Sequence, residues 1–441
     1  MLREILTKKE ILKNCKIFRM LAARAEKEHM SFHTPGHKIN GFDITELSYS
    51  DNLSCPKGCI LEAERDVAEI LGAEKSFILT DGSTCGILSM LYAAKQLGAK
   101  NIAFCESTHK SVYNGCAALG LTPLIYSPSK REEIPFAPTM SELNEKNGDI
   151  FQAADAILFT SPDYYGNIAD LRGAREFCDK TGKILLVDGA HGGHLHFEKE
   201  LHAGTYADMW VDGVHKSLPA LTQGAVASAK NGKFAEALQK GVDIFRTTSP
   251  SYPIMASVEY AVKYPRKITL EKRVHLFKKR NARIYQNADW TKLCARFGKH
   301  AFKVEKLLEE EGIFAEFCDG NVITFYLSPA TRMQDFDRLK TRLSELFLQF
   351  PDYEVKKGKK ENKLDPAPLV FDKNAETEWV DIDEAEGKIC ANNCGLFPPC
   401  TPLILQGERI EKEKLELMKK ADNLFGVREG KILVLKEIEK E

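Results

Sequence analysis

The stretch "VDGVHKSLPALTQGA", residues 211 to 225, sets His215 and Lys216 side by side among residues that are mostly small or apolar. Lysine is rarely buried without a partner, so one in this setting either runs its ammonium out to water or is held for chemistry. A partly desolvated lysine gives up its proton more easily, and the free amine attacks carbonyl carbon. Candidate partners stand at the ends of other apolar runs. "SFILT" (76–80) leads into "DGSTCG", where Gly82, Ser83 and Thr84 offer backbone N–H groups and hydroxyls ahead of a helix start, a combination that cradles phosphate. "NIAFC" (101–105) leads into "ESTHKS", which contains His109, and "ILLV" leads into Asp188, followed by "GAHGGHLHF" with Ala190 and His191.

The elements that must position these residues are short and β-rich. Besides the runs already named, "AILFT" (156–160), "MWVDG" (209–213) and "AVASA" (225–229) are separated by helix-length segments. That alternation is the signature of an α/β fold, a mostly parallel sheet covered by helices on both faces. Ligands of such sheets bind at the carboxyl ends of the strands, where Gly82, His109, Asp188 and Lys216 all fall. Asp188 precedes Lys216 by 28 positions (216 − 188), about one helix plus one strand, so the two are expected on neighbouring strand ends. A phosphate cradle, an imidazole, a carboxylate and a lysine are together the parts that hold pyridoxal phosphate. Lys216 would form the Schiff base with its aldehyde, Asp188 would pair with the pyridinium nitrogen, and His109 would lie over one face of the ring.

Composition narrows the alternatives. Across 441 residues, 62 Lys and Arg oppose 63 Asp and Glu, so no global field draws nucleic acid or an anionic membrane. The basic run "EKRVHLFKKRNARIY" reads as a solvated helix face. The N-terminus carries charges every few residues and lacks a secretory signal, and no stretch reaches the length of a membrane span, which together imply a cytoplasmic protein. Twelve cysteines are scattered along the chain and read as reduced thiols. Cys55 with Cys59, and Cys390 with Cys394 and Cys400, lack the paired spacing of a structural zinc site. His191, His194 and His196 could suggest a metal, but they alternate awkwardly around Gly192 and Gly193, so no metal is expected. His33 and His37 are expected to line a substrate entrance or pack in their loop.

Three regions follow from the patterning. Residues 1–30 form an N-terminal helical arm, with Ile11, Cys15, Phe18, Ala22 and Ala25 on its apolar side. Residues 31–290 form the cofactor-binding large domain, and 291–441 a smaller α+β domain with a strand at "VITFYL", a helix at "MQDFDRLKTRLSELFLQF", a lysine-rich loop near 356–363, a helix near 411–424 and a last strand at "KILVL".

The motifs "HTPGHK", "DGSTCG", "STHKS", "SPDYYG", "VDGAHGGHLHF", "HKSLPALTQGA" and "TSPSYPIMAS" occur in an order and spacing similar to the pyridoxal-phosphate-dependent ornithine/lysine/arginine decarboxylases, and "EGKICANNCGLFPPCTPLILQGE" continues the likeness more faintly. The resemblance implies the aspartate-aminotransferase fold and a homodimer or larger homo-oligomer with active sites at the dimer interface. It implies removal of the α-carboxyl group of lysine, ornithine or arginine. In such a site Lys216 carries the cofactor, His215 contacts the bound substrate and is, with Lys216, a candidate acid, and Ser249 reaches the phosphate of the neighbouring subunit. The longer bacterial members carry an extra N-terminal domain, for which this chain has no room before "HTPGHK". Besides "FPPCTP", which replaces a Tyr-Pro-Pro-Gly type segment, three positions depart from the family pattern: Gly213 stands where a Ser or Thr helps bind phosphate, Asp163 where Thr is usual, and Asn392 where an acid is common. They leave open another pyridoxal-phosphate reaction, such as transamination or elimination, or a non-catalytic regulatory relative.

Overall fold

The computed structural model describes residues 9–26, 30–38, 43–127, 129–131, 134–136, 138–353, 375–397, 400–421 and 423–436. The lysine-rich loop near 356–363 lies outside the described residues. Seven strands make the main sheet: β1 (Lys75–Leu79), β2 (Asn101–Cys105), β3 (Thr122–Tyr126), β4 (Ala156–Thr160), β5 (Ile184–Gly189), β6 (Met209–Asp212) and β7 (Ala225–Ala229). Their order is β1-β7-β6-β5-β4-β2-β3. β7 runs antiparallel to both neighbours, and every other pairing is parallel. The expected α/β sheet is present, with one strand more than the apolar runs indicate. β3, "TPLIY", begins exposed at the sheet edge and has no continuous apolar run to mark it.

Strand side chains alternate between two buried layers. Ile78, Ala103, Ile157, Leu185, Trp210 and Val226 face one helical layer. Leu79, Ile102, Leu158, Leu186, Val211 and Ala225 face the other. In the second layer the helix Gly82–Gln96 comes close because Gly86 has no side chain: a Cβ there would stand 2.6 Å from a methyl of Val211. The phosphate-type turn is thereby pressed onto β6, the strand that leads to Lys216.

The N-terminal arm is not one regular helix. Helical turns up to residue 14 break at Cys15, and a second helix runs Lys16–Ala25. The break shifts the buried face to Cys15, Ile17 and Leu21 instead of Ile11, Phe18, Ala22 and Ala25. The carboxylate of Glu259, itself fully buried, accepts the backbone N–H groups of Lys16 and Ile17 at 2.7 and 2.9 Å. Those two donors would otherwise be unsatisfied at a helix start.

Beyond the main sheet, Lys292–Arg296, Val322–Tyr326 and Phe317–Cys318 form an antiparallel sheet packed with the helices Ile268–Arg280, Ala301–Glu310 and Met333–Gln349. A further core surrounds the strands Thr377–Asp381 and Lys431–Leu435 and the short helix Lys412–Met418, with Cys390, Cys394, Ile404 and Val434 inside it.

Candidate active site

Parallel pairing puts Asp188 opposite Val211 and Gly189 opposite Asp212, so the chain leaves β5 and β6 side by side. After β6, Gly213 opens a single helical turn, Val214–Ser217, that carries His215 and Lys216. After β5, Asp188 folds back on its own turn and accepts the Ala190 N–H at 3.0 Å. His191 continues that turn, and its Nε2 lies 3.3 Å from Lys216 Nζ. Spacing therefore predicted correctly that Asp188 and Lys216 share a sheet edge.

The Gly82, Asp188 and Lys216 turns converge at Gly213. A Cβ at this position would stand 2.3 Å from the Ala190 carbonyl and 2.8 Å from Ser83 Oγ. There is no room for the serine or threonine that the family pattern suggests. Ser83 Oγ is buried and has no hydrogen-bond partner among the described residues, an unusual state for a hydroxyl. It sits at the start of the helix Gly82–Gln96, whose first N–H groups carry the positive end of the helix dipole. The Gly82 N–H is already given to the Gln223 carbonyl at 2.9 Å, and Thr84 is exposed. An anion seated here would satisfy Ser83, so the cradle fits a phosphate group.

The charges around Lys216 oppose one another. Burial pushes its ammonium below the usual lysine range, and Asp188 and Glu316 pull it back up. Burial raises Asp188, and Lys216 lowers it. His109 caps the helix Lys110–Leu119, its Nδ1 accepting the Ser111 N–H at 3.2 Å, and burial together with Lys216 pushes it down to about 3. This imidazole is neutral near pH 7. Burial and Lys216 also hold His191 far below the imidazole range. His215 Nδ1 lies 2.9 Å from the Gly224 carbonyl, which must accept, so the ring carries its proton on Nδ1 and its Nε2 remains available.

Ser249 lies apart from this group. It is exposed, its N–H bonds Thr247 Oγ1 at 3.1 Å, and Thr247 in turn donates its N–H to Asp81 beside the Gly82 turn. Asp163 closes the turn after β4, accepting the N–H groups of Tyr165 and Asn167, each at 2.9 Å, and the Asn167 amide at 2.7 Å. Burial pushes its carboxyl up to about 6. Asn392 donates its amide to the Gly426 carbonyl at 2.9 Å within the small C-terminal core. Among His191, His194 and His196 each ring has its own partner: Lys216, Asp289 at 2.9 Å, and the Gly193 carbonyl at 2.7 Å.

Several residues of the site carry no local sequence signal. The His191 ring is held between Tyr164 and Tyr326, with centroids 4.7 and 5.5 Å away. Lys292 is fully buried, with its ammonium 4.2 Å from the Tyr326 ring centre and 3.5 Å from Asp289. Asp289 also binds His194, whose own N–H donates to Ser217 Oγ at 3.3 Å, directly after Lys216. Glu316 precedes Phe317, which packs edge-on against Tyr164 at 6.4 Å. Lys292 opens the strand "KLCAR", whose second cation at Arg296 makes it look like an ordinary solvated edge in sequence.

Comparison with known proteins agrees with this geometry. The family description "Orn/Lys/Arg decarboxylase, major domain" matches residues 16–289, and "Orn/Lys/Arg decarboxylase, C-terminal domain" matches residues 345–424. The uncharacterized protein YaaO of Bacillus subtilis (strain 168) is 26% identical, over 97% of this chain and all of its own length. An arginine decarboxylase of the same organism is 27% identical, over 90% of this chain and 91% of that one. Among solved structures, the constitutive lysine decarboxylase of E. coli superposes with a TM-score of 0.69 at 19% identity, covering 97% of this chain and 83% of that one. The Francisella novicida lysine decarboxylase LdcF gives 0.72 at 17% identity, covering 96% and 81%. Two matched regions, one of them holding all seven strands of the large sheet with its lysine turn, lead to one conclusion: the chain belongs to the Orn/Lys/Arg decarboxylase family.

Proposed function

We propose that the chain is a pyridoxal-phosphate-dependent decarboxylase of a basic amino acid: lysine, ornithine or arginine. The observation that carries this reading is the convergence of Lys216, Asp188 and the partnerless Ser83 hydroxyl on Gly213 at the strand ends. Pyridoxal phosphate, when bound, supplies an electron sink for the pair left on the α-carbon as carbon dioxide departs. Lys216 would hold the cofactor's aldehyde, and Ser83 with the start of its helix would hold its phosphate. Asp188, buried and tied to the Ala190 N–H, would keep a ring nitrogen protonated. His109 and His191, both held neutral, can pack against a flat aromatic ring without adding charge. A proton for the α-carbon would come from Lys216 or His215, whose Nε2 is left available by the Gly224 bond. Glu316, exposed and near enough for its charge to act on Lys216, would be the acid that meets a distal ammonium or guanidinium. Exposed Ser249 beside the Asp81 turn supports the further reading that a second copy of the chain completes the site.

The test is carbon dioxide release from lysine, ornithine, arginine and an acidic control, with added cofactor. Release from one basic amino acid, abolished in Lys216→Ala and given a KM about tenfold higher by Glu316→Gln, is the expected result, the latter from loss of one charge-assisted contact. Cofactor absorbance without release from any of them moves the reading to another reaction on this fold.

A further inference from the structure

Cys390 and Cys394 lie in the small C-terminal core, outside the lysine site, and the proposed reaction uses neither. Their sulfurs are 3.9 Å apart, and both residues are fully buried. The Cys390 thiol also donates to the Asn392 carbonyl at 2.9 Å, closing the turn between them. Backbone bonds anchor both ends. The Cys390 N–H binds the Glu408 carbonyl at 2.8 Å, and the Cys394 N–H binds the Ile404 carbonyl at 3.0 Å. A disulfide requires sulfurs about 2.05 Å apart, so each has to move by about 1 Å from where it rests.

We propose that Cys390 and Cys394 are an oxidation site, a dithiol that closes to an intrachain disulfide when the protein meets a peroxide. Local opening frees the Cys390 thiol from the Asn392 carbonyl, and its thiolate is the reactive form. Its sulfur attacks one peroxide oxygen, the O–O bond breaks, and the departing hydroxide takes a proton to leave as water. The sulfenic acid so formed is displaced by the Cys394 sulfur, whose proton leaves with the hydroxyl as a second water. Two electrons pass from the two sulfurs to the peroxide, and the protein loses two hydrogens. Peroxide is small enough to enter on brief local opening, and Asn392 and Asn393 between the cysteines are only half-buried.

The same segment runs on to the active site. Gly395–Leu396 pairs with Leu424–Phe425, and the Cys400 carbonyl then accepts the Lys110 N–H at 3.0 Å, one residue after His109. The Lys110 ammonium rests 4.9 Å from the Phe425 ring centre. Cys394 begins the segment that ends at this contact, so closing the disulfide is expected to loosen the Lys110–Cys400 bond.

The test uses the full-length chain, reduced and then exposed to hydrogen peroxide, quenched in acid, denatured, alkylated and digested for mass spectrometry. The expected peptide carries no alkyl group on Cys390 or Cys394, is two hydrogens lighter for that pair and keeps its alkylated Cys400, and prior reduction restores the two missing alkylations. Both thiols still alkylated while other cysteines have oxidised, or either one linked to Cys400, would overturn the proposal. Hydrogen exchange gives the second readout: the Lys110 amide exchanges about threefold faster after oxidation, and Cys394→Val treated the same way shows no change. Unchanged exchange in the oxidised wild-type chain removes the link to the site. The mass readout on the wild-type chain stands whether or not the variant folds.

Discussion

At the residue scale the site depends on what is missing at Gly213. Its position relative to Lys216 can be read from the motif, which suggests a lost phosphate ligand; only the folded chain shows that a side chain there would run into the Ala190 carbonyl. Gly213→Ser should destabilise the protein by about 1–3 kcal/mol through overpacking and weaken retention of pyridoxal phosphate about tenfold. Denaturant unfolding and titration of the cofactor's absorbance measure the two effects, and a serine that strengthens retention would sink the account. Lys216, Asp188, His191 and Ser83 were legible because each follows an apolar run. Asp163 was legible as a departure within a turn but not as the acceptor that holds the turn, since that role depends on Asn167 and Tyr165 folding back onto it.

At the scale of elements, apolar runs located six strands of the main sheet and missed edge strand β3, where burial is too incomplete to leave a run. The arm was read as one helix because periodicity does not register the break at Cys15, which Glu259 stabilises from more than two hundred residues away. The most consequential omission is the contact between the Gly193–Phe197 turn and the strand Lys292–Arg296. There Asp289 meets the His194 ring and the Lys292 ammonium in a buried polar group joining the large sheet to the smaller one. Charges of either sign alone would be costly in this dry setting; the pairing offsets that cost. Lys278 adds a second ammonium, bonding the Asp289 carbonyl at 2.7 Å, and burial lowers it to about 8. Lys292→Met leaves Asp289 short of a counter-charge and should lower the unfolding free energy by about 3 kcal/mol. An unchanged denaturation midpoint would show that His194 and Lys278 suffice.

For the whole molecule, pH acts through groups buried in neutral form. Burial holds His109 down to about 3 and His196 down to about 4, whereas an unfolded imidazole titrates near 6.5. The unfolded chain therefore binds more protons between those values, and stability falls as pH drops below 6.5. Glu64, raised to about 7 by burial, works in the opposite direction: its contribution is complete below pH 4.5 and lost as pH rises through 7. Comparing variants separates them. His109→Asn, which keeps an N-cap acceptor, should lose less melting temperature between pH 7 and pH 5 than the wild-type chain does; an equal loss would mean that His109 is not buried neutral. Among the described residues no helix is long and apolar enough to cross a membrane, and the charge balance read from composition stands beside that. One feature of the sheet bears on how the site comes into being. Among the described residues β1 pairs with β7 alone, Leu79 opposite Ala225, and the Gly82 N–H waits for the Gln223 carbonyl. During synthesis from the N-terminus, the phosphate turn is thus made early and seated late: it cannot take its final shape until the segment just beyond Lys216 has emerged.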